Sequence, residues 1–420
     1  MKKFGVYFSC VLSFVALFVA FTALVYSGGI KTPSVENLTD IPQGVNEAAV
    51  QPNTDKKTPS DTSNEQSNGE TSTPSGNTDI DAILNSMTLE EKVCQLMFVT
   101  PESITGVGQV IAAGNSTKNA LAKYPVGGII YFSQNLQTPE QTKEMIKNSQ
   151  NYSKIPLFIG VDEEGGRVAR LGSNSQMGVT KHPAMADVKS NEEAYSIGQT
   201  LGVELKALGF NVDFAPVADV IVNKKNSEIG DRSFGEDALV VSERVSNLVT
   251  GMEEQHVSSV LKHFPGHGST VANSHNGYSA SPRTIEELRA CEFLPFKAGI
   301  DAGSDFIMVS HMTLTNATEE KLPASLSSEV ITGFLKGELG FEGIVITDAL
   351  NMGAITKEFG NGEAAVKAIE AGADMLLMPA DVGVAKEAVM NAVATGRISE
   401  ERINESVRKI LTAKAAKGLI

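Results

Sequence analysis

From residue 79 to the C-terminus, short apolar runs alternate with longer stretches whose apolar residues recur at helical spacing. The runs Gln95–Val99, Gly128–Phe132, Pro156–Asp162, Val212–Ala218, Val257–His263, Phe306–His311, Gly343–Asp348 and Met375–Met378 predict strands. Between them, Pro139–Lys147, Glu192–Leu208, Ala238–Glu254, Ile285–Ala302 and Gly362–Ala371 predict helices, with a last one over about Glu400–Lys414. Thr88 and Glu91 match a capping box, and Thr138 before Pro139 and Thr284 before Glu287 carry further helix-start signals. Continuous apolar strands separated by helices are buried on both faces and connected by parallel crossovers. Eight of them predict an α/β fold, a single (β/α)8 TIM-type barrel over residues 79–420, with a doubly wound open sheet as the runner-up. No internal repeat is visible, and no second domain is expected after the last helix.

The pattern is different ahead of residue 79. Lys2 and Lys3 precede an uncharged run from Phe4 to Ile30, rich in Phe, Val, Leu and Ala. Spanning a bilayer takes roughly 20 apolar residues, so residues 1–30 read as a membrane anchor or signal segment with the lysines left in the cytoplasm. The small residues Ser27, Gly28 and Gly29 suit a signal peptidase, but the run exceeds the usual core of a cleaved signal, which favours an uncleaved anchor. Residues 31–78 are dominated by Thr, Ser, Asn, Pro, Gly, Gln and Asp and cannot bury a core. They predict a disordered tether with an r.m.s. span of about 40 Å. The barrel is therefore expected to be exported, held at the extracellular face of the membrane, or secreted if the N-terminal segment is cleaved.

Composition narrows the partners. The 420-residue chain carries a net charge of −15 and a pI near 5.0, which offers no basic stripe for phosphates and excludes nucleic acid. Cys10, Cys94 and Cys291 make no disulfide framework; Cys94 and Cys291 pair only if the fold brings them together, and they read as free, buried small hydrophobes.

The candidate chemistry lies where polar residues end the predicted strands. Active sites of such barrels sit at the C-terminal ends of the strands. Here strand three ends in Asp162, strand five in Lys262 and His263, strand six in Ser310 and His311, and strand seven in Asp348; Pro216–Asp219 ends strand four, whose loop carries Arg232. Each taken singly reads as a loop cap, but five charged or titratable strand ends on one rim read as a site, given what burying unpaired charge costs. The chain has six histidines, and His263, His267 and His275 cluster in and after the fifth strand. Pro265 and Gly266 prevent helical pairing of His263 with His267, and no carboxylate partners are evident, so metal is the weaker reading. No phosphate-cradling glycine loop and no nucleophile elbow occurs.

The motifs Asp162–Val168 (DEEGGRV), Gly230–Phe234 (GDRSF), Lys262–Gly268 (KHFPGHG), Ser274 with His275, and Thr347–Met352 (TDALNM) resemble glycoside hydrolase family 3, most closely its NagZ-type β-N-acetylglucosaminidases. The resemblance runs in order from about Asp79 to the C-terminus. It implies a retaining, exo-acting enzyme with Asp348 as nucleophile and His275 as acid/base, and with Asp162, Arg170, Arg232, Lys262 and His263 holding the sugar hydroxyls and acetamido group. His267 then reads as a loop-structure residue. No cofactor and no metal is implied. The expected partner is a GlcNAc-containing glycan or muropeptide, met by a membrane-tethered monomer. One position departs from the pattern. Asn273 stands where that branch carries an aspartate beside the histidine, and an amide stabilises imidazolium less and can favour the wrong tautomer. A slow or acid-shifted hydrolase, a partial phosphorylase admitting phosphate in place of the lost carboxylate, and a tethered glycan-binding barrel without activity are the three readings that follow. A family-3 glycosidase of other sugar specificity is the remaining alternative.

Overall fold

The apolar runs pair side by side, all parallel, in the computed structural model, which describes residues 79–270 and 279–420. The strands are β1 (Met97–Val99), β2 (Gly128–Ile130), β3 (Phe158–Val161), β4 (Val212–Asp213), β5 (Ser258–Phe264), β6 (Phe306–Val309), β7 (Ile344–Thr347) and β8 (Leu376–Leu377). Their hydrogen-bonded order is β7-β6-β5-β4-β3-β2-β1-β8. A parallel bridge between Ile346 and Met375, with the Thr347 amide donating to Met375 O at 3.1 Å, brings β7 against β8 and nearly closes the barrel. The architecture is the expected eight-stranded α/β barrel. The expected anchor and tether, residues 1–30 and 31–78, lie outside the described residues. Among the described residues no helix is long and apolar enough to cross a membrane.

The helices follow from their caps. Thr88 and Glu91 cap each other reciprocally at the start of Leu89–Gln95, as do Thr284 and Glu287 at Ile285–Ala290, which satisfies two otherwise orphaned N–H groups in each. Thr138 and Pro139 open Pro139–Tyr152 as expected. The predicted helix Ile285–Ala302 is instead two, Ile285–Ala290 and Phe293–Asp301, broken at Cys291 (φ −138°, ψ −76°). Pro295 sits in the first turn of the second helix, where its missing N–H leaves nothing unpaired. A further helix, Glu329–Glu338, winds with π-type hydrogen bonds between β6 and β7. Cys94 and Cys291 are both free, the first buried and the second half-buried.

Side chains from strands that are not neighbours meet inside the barrel. Phe158 of β3 and Phe306 of β6 stack edge-to-face at 5.1 Å, and Phe98 of β1 meets Phe214, just past β4, at 5.2 Å. Such pairs contribute about 0.5–1.5 kcal/mol beyond their burial. The second pair needs Gly160 of β3: a Cβ there would lie 2.6 Å from the Phe214 ring and 2.9 Å from that of Phe98. These rings fill the barrel's lower and middle layers and leave its upper rim to polar groups.

Two buried ionisable groups fix the C-terminal helix Glu400–Ala416 to the barrel. Asp374, ahead of β8, accepts from the Val345 amide (3.1 Å), Ser406 Oγ (2.8 Å), Arg402 Nη2 (3.3 Å) and Lys336 Nζ (3.3 Å). Burial alone would raise its pKa, but the charges of Lys336, Lys409 and Arg402 hold it below the ordinary value. Lys414, wholly buried, places its Nζ 5.1 Å over the Phe158 ring and donates to Gln95 Oε1 at 2.8 Å. Desolvation pushes this amine down to about 7. Between about pH 7 and the ordinary lysine value near 10.4 the unfolded chain holds a proton that the folded chain lacks, so folding stability rises with pH across that window. In Lys414→Met this rise is expected to lose up to about 1.4 kcal/mol per pH unit, measured by urea denaturation between pH 6 and 10.

Candidate active site

Three consecutive acidic residues leave the end of β3, and their extended path sends them to alternate sides. Glu163 turns away from the rim, where its carboxylate accepts the Leu171 and Gly172 amides at 2.7 and 2.9 Å. Asp162 and Glu164 face a cavity of ≈ 320 Å³ at the C-terminal mouth of the barrel, within the range of small-molecule sites. Its floor is apolar, from Ile130, Met308 and Leu377, and Phe132 and Met378 stand at its sides.

Opposite charges alternate along one wall. Arg170 Nη2 donates to Asp162 at 3.3 Å, Lys262 Nζ lies 2.9 Å from Asp162 and 2.5 Å from Glu164, and Arg232 grips Glu164 through Nε (2.7 Å) and Nη2 (2.8 Å). The Glu164 and Lys262 side chains are only 1% and 3% exposed. Burial alone would neutralise both, but the surrounding charges win: the Glu164 carboxyl lies far below the usual carboxylate range, and Lys262 is raised. Each ion is therefore charged because its neighbours are.

Lys262 and His263 are consecutive yet both line the cavity, because the register of β5 against β6 shifts between Leu261 and Phe264. Asp219, at the end of the β4 segment and wholly buried, holds this stretch. It accepts from His263 Nδ1 at 2.8 Å and from the amides of His263 (3.3 Å) and His267 (2.6 Å). Against its desolvation, the His263 ring beside it keeps Asp219 below its ordinary pKa. Arg232 Nη2 lies 3.3 Å from His263 Nε2. A guanidinium only donates, so Nε2 accepts and the proton of neutral His263 sits on Nδ1, facing Asp219. Beyond this strand the loop packs against the β4 loop: a Cβ on Gly268 would lie 1.8 Å from Val220 O.

Asp348 leaves β7 with its backbone N–H on Val309 O (2.8 Å) and its Oδ1 accepting the Ala349 amide (2.7 Å). His311 supports it from behind, with Nε2 donating to Ala349 O (3.0 Å) and Nδ1 against Ser325 Oγ (2.7 Å). Arg167 clips the rim together outside the cavity floor. It reaches Asp231 (2.8 Å) and the carbonyls of Ser227 (2.9 Å), Glu228 (2.6 Å) and Ile229 (3.2 Å), on the β4 loop that carries Arg232.

Of the residues expected from sequence, Asp162, Arg170, Arg232, Lys262, His263 and Asp348 converge on this one cavity. Asn273 and His275 lie outside the described residues. His311 ends its strand at the same rim but faces Ser325 and Ala349. His267 keeps its loop role through its backbone, and its side chain also lines the cavity. Sequence reasoning gave Glu164 no role, although two positions beyond Asp162 on an extended path means the same face, and it placed Asp219 only as the end of the fourth strand, without its role of holding His263.

The chain matches the family model for the glycosyl hydrolase family 3 N-terminal domain over residues 88–413. It is 33% identical to the β-hexosaminidase A of Pseudoalteromonas piscicida, over 70% of this chain and 54% of that one. It is 31% identical to a β-hexosaminidase of Nitrosomonas eutropha, over 75% of this chain and 92% of that one. A solved family 3 β-N-acetylglucosaminidase from Paenibacillus sp. superposes with a TM-score of 0.75 at 39% identity, over 80% of this chain and 63% of that one. The chain thus spans about half to two thirds of the first and third of these proteins and nearly the whole of the second.

Glu164 is the hinge of the charge alternation, and its isosteric substitution tests it. Glu164→Gln leaves Lys262 and Arg232 buried without their shared anion, a loss expected to cost about 3–5 kcal/mol of stability. Because the folded pKa is depressed, the difference from wild type is full above about pH 4.3 and shrinks as pH falls below it; paired denaturant titrations at pH 7 and pH 3 measure both.

Proposed function

The chain belongs to glycosyl hydrolase family 3, and on that premise we propose that it is a retaining, exo-acting β-N-acetylglucosaminidase. The observation that carries the reading is the placement of Asp348, directly after β7, in one cavity with the charge-alternating wall of Asp162, Lys262, Glu164 and Arg232. A wall of donors and acceptors fixed in place suits sugar hydroxyls, and a carboxylate at the cavity mouth suits attack on the anomeric carbon. A carboxylate oxygen of Asp348 forms the bond to that carbon as the bond to the leaving oxygen breaks. His275 donates the proton that the leaving oxygen takes up. In the second half, water attacks the same carbon, His275 takes its proton, and the Asp348 carboxylate is released. Lys262, Arg232, His263, Asp162 and Arg170 hold and orient the sugar; no metal or cofactor enters these steps. An asparagine at position 273, two residues before His275, can accept a hydrogen bond but carries no negative charge, so it would stabilise an imidazolium less than a carboxylate would.

The substrate is a GlcNAc-terminated chain, a peptidoglycan fragment or muropeptide among the candidates. The apolar run Phe4–Ile30 and the polar stretch 31–78 support export and tethering at the outer face of the membrane.

Release of 4-nitrophenol from the β-N-acetylglucosaminide, against the matching glucoside and xyloside, tests the reading. Preferred cleavage of the first is expected; binding of GlcNAc with no release from any of the three sinks the enzyme reading. Added phosphate leaves GlcNAc as the product of a hydrolase and yields GlcNAc 1-phosphate from a phosphorylase. Asp348→Ala is expected to lower turnover roughly 10⁴-fold or more, and retained activity places the nucleophile elsewhere. Asn273→Asp is expected to raise turnover, with an upper bound near the ~10⁴-fold that the Asp–Asn exchange makes beside a serine-protease histidine; an unchanged pH–rate profile means another group already supplies the charge.

A further inference from the structure

Arg170 lines the cavity with little from its own side chain to hold it there. Its Nη2 donates to Asp162 Oδ2 at 3.3 Å, its guanidinium carbon lies 5.5 Å from the centre of the Phe132 ring, and its side chain is 28% exposed. One long ion pair and one cation–π contact on a part-open side chain hold it weakly. The chain on either side of it is held far more firmly. Its own N–H donates to Asp162 O at 3.3 Å, and the next two amides, of Leu171 and Gly172, both end on the Glu163 carboxylate, at 2.7 and 2.9 Å.

Glu163 is built for that hold. The residue is 3% exposed and stands between the two acids that face the cavity. Its backbone is pinned as well: the N–H donates to Asp213 Oδ1 at 2.9 Å, and Glu163 lies opposite Ala169 where Glu163–Gly165 pairs antiparallel with Val168–Ala169. The carboxylate fits the loop closely, since a Cβ on Gly172 would lie 2.8 Å from Glu163 Oε1. Burial raises the Glu163 carboxyl above its ordinary pKa, and the Leu171 and Gly172 amides oppose that rise. In the ionised form each oxygen accepts one amide, whereas a carboxamide offers one acceptor and turns an NH2 toward the other N–H. Two charge-assisted bonds to successive amides fix the path on which the chain leaves Arg170, and with it the point from which the Arg170 side chain starts.

We propose that Glu163 is a positioning residue that acts through Arg170: its carboxylate clamps the Leu171 and Gly172 amides and so sets the Arg170 guanidinium at the sugar-facing wall. The assignment rests on the reading of this cavity as a sugar site in which Arg170 takes part. It gives the three consecutive acids separate duties, Asp162 and Glu164 inside the cavity and Glu163 behind it.

The test is a double-mutant cycle in the full chain, built from wild type, Glu163→Gln, Arg170→Ala and the pair, with Glu163→Ala as the more severe change. Two readouts are taken, kcat/KM on 4-nitrophenyl β-N-acetylglucosaminide and the Kd of GlcNAc by calorimetry, beside the urea midpoint of every variant. With Arg170 present, Glu163→Gln is expected to lose roughly 10-fold and Glu163→Ala up to about 100-fold in kcat/KM, the scale of an ångström-sized misplacement. With Arg170→Ala in place, either change is expected to cost no more than about twofold. The urea midpoint is expected to fall equally in both backgrounds, because the clamp folds the loop whether or not a guanidinium follows it. Equal fold-losses of kcat/KM in the two backgrounds overturn the proposal, since they mark a structural role that bypasses Arg170. Wild-type kcat/KM and Kd in Arg170→Ala, or in both Glu163 variants, overturn it too. A wild type that binds GlcNAc and cleaves no glycoside ends the enzyme reading alone, and the cycle in Kd then decides the role of Glu163 by the same criterion. If wild type cleaves only the glucoside, the substrate reading fails, and the cycle on the glucoside decides it.

Discussion

A carboxylate with 1% of its side chain in water cannot remain ionised alone, and Glu164 is ionised only because Lys262 and Arg232 close on it from two other elements. This constraint orders the upper half of the molecule. It fixes the end of β3, the end of β5 and the loop after β4 relative to one another to within hydrogen-bond tolerance. Asp162 shares Lys262 and draws in Arg170, so the constraint runs along the whole wall. The sugar-facing atoms are thus positioned before any sugar arrives, which is what makes a polar site selective at low reorganisation cost.

The lower half is built on the opposite principle. Its aromatic rings touch across the barrel axis, and the wholly buried amine of Lys414 is held in a setting that favours the uncharged form. Charge is admitted at the seam between β7 and β8, where Asp374 gathers Lys336, Arg402 and Lys409. The barrel therefore has a dry base that supplies rigidity and a charged rim that supplies chemistry, and the residues between them are small or apolar.

How far the sequence exposed this depends on the range of the interaction. Asp162, Lys262, His263 and Asp348 were legible because each is a charged or titratable residue at the end of an apolar strand, a purely local pattern. Arg170 and Arg232 were legible as charges on the loops after the third and fourth strands, but their sugar-holding role came only with the family resemblance, since nothing near them in the chain indicates that they turn inward. Asp219 was legible as the end of the fourth strand but its role was not, because that lies in three donors from another strand and its loop. The helix Glu329–Glu338 escaped notice because Gly333 and Gly337 weaken its pattern and its π winding departs from the 3.6-residue period. The break near Cys291 was signalled by Pro295, which marks a helix beginning as well as a helix interior would be broken by it. His267 was read by its neighbours Pro265, Gly266 and Gly268, which describe its backbone and say nothing about where its ring points.

The Arg167 clip has a consequence of another kind. Its guanidinium and the Asp231 carboxylate are about half exposed, 46% and 52%, whereas the pairs of Glu164 with Lys262 and Arg232 are nearly sealed from solvent. Dissolved ions, which act over about 10 Å at 0.1 M, therefore reach the fastening of the β4 loop but not the charges that the loop delivers. Ionic strength acts on this site from the outside, through the seating of Arg232 and not through the strength of its grip.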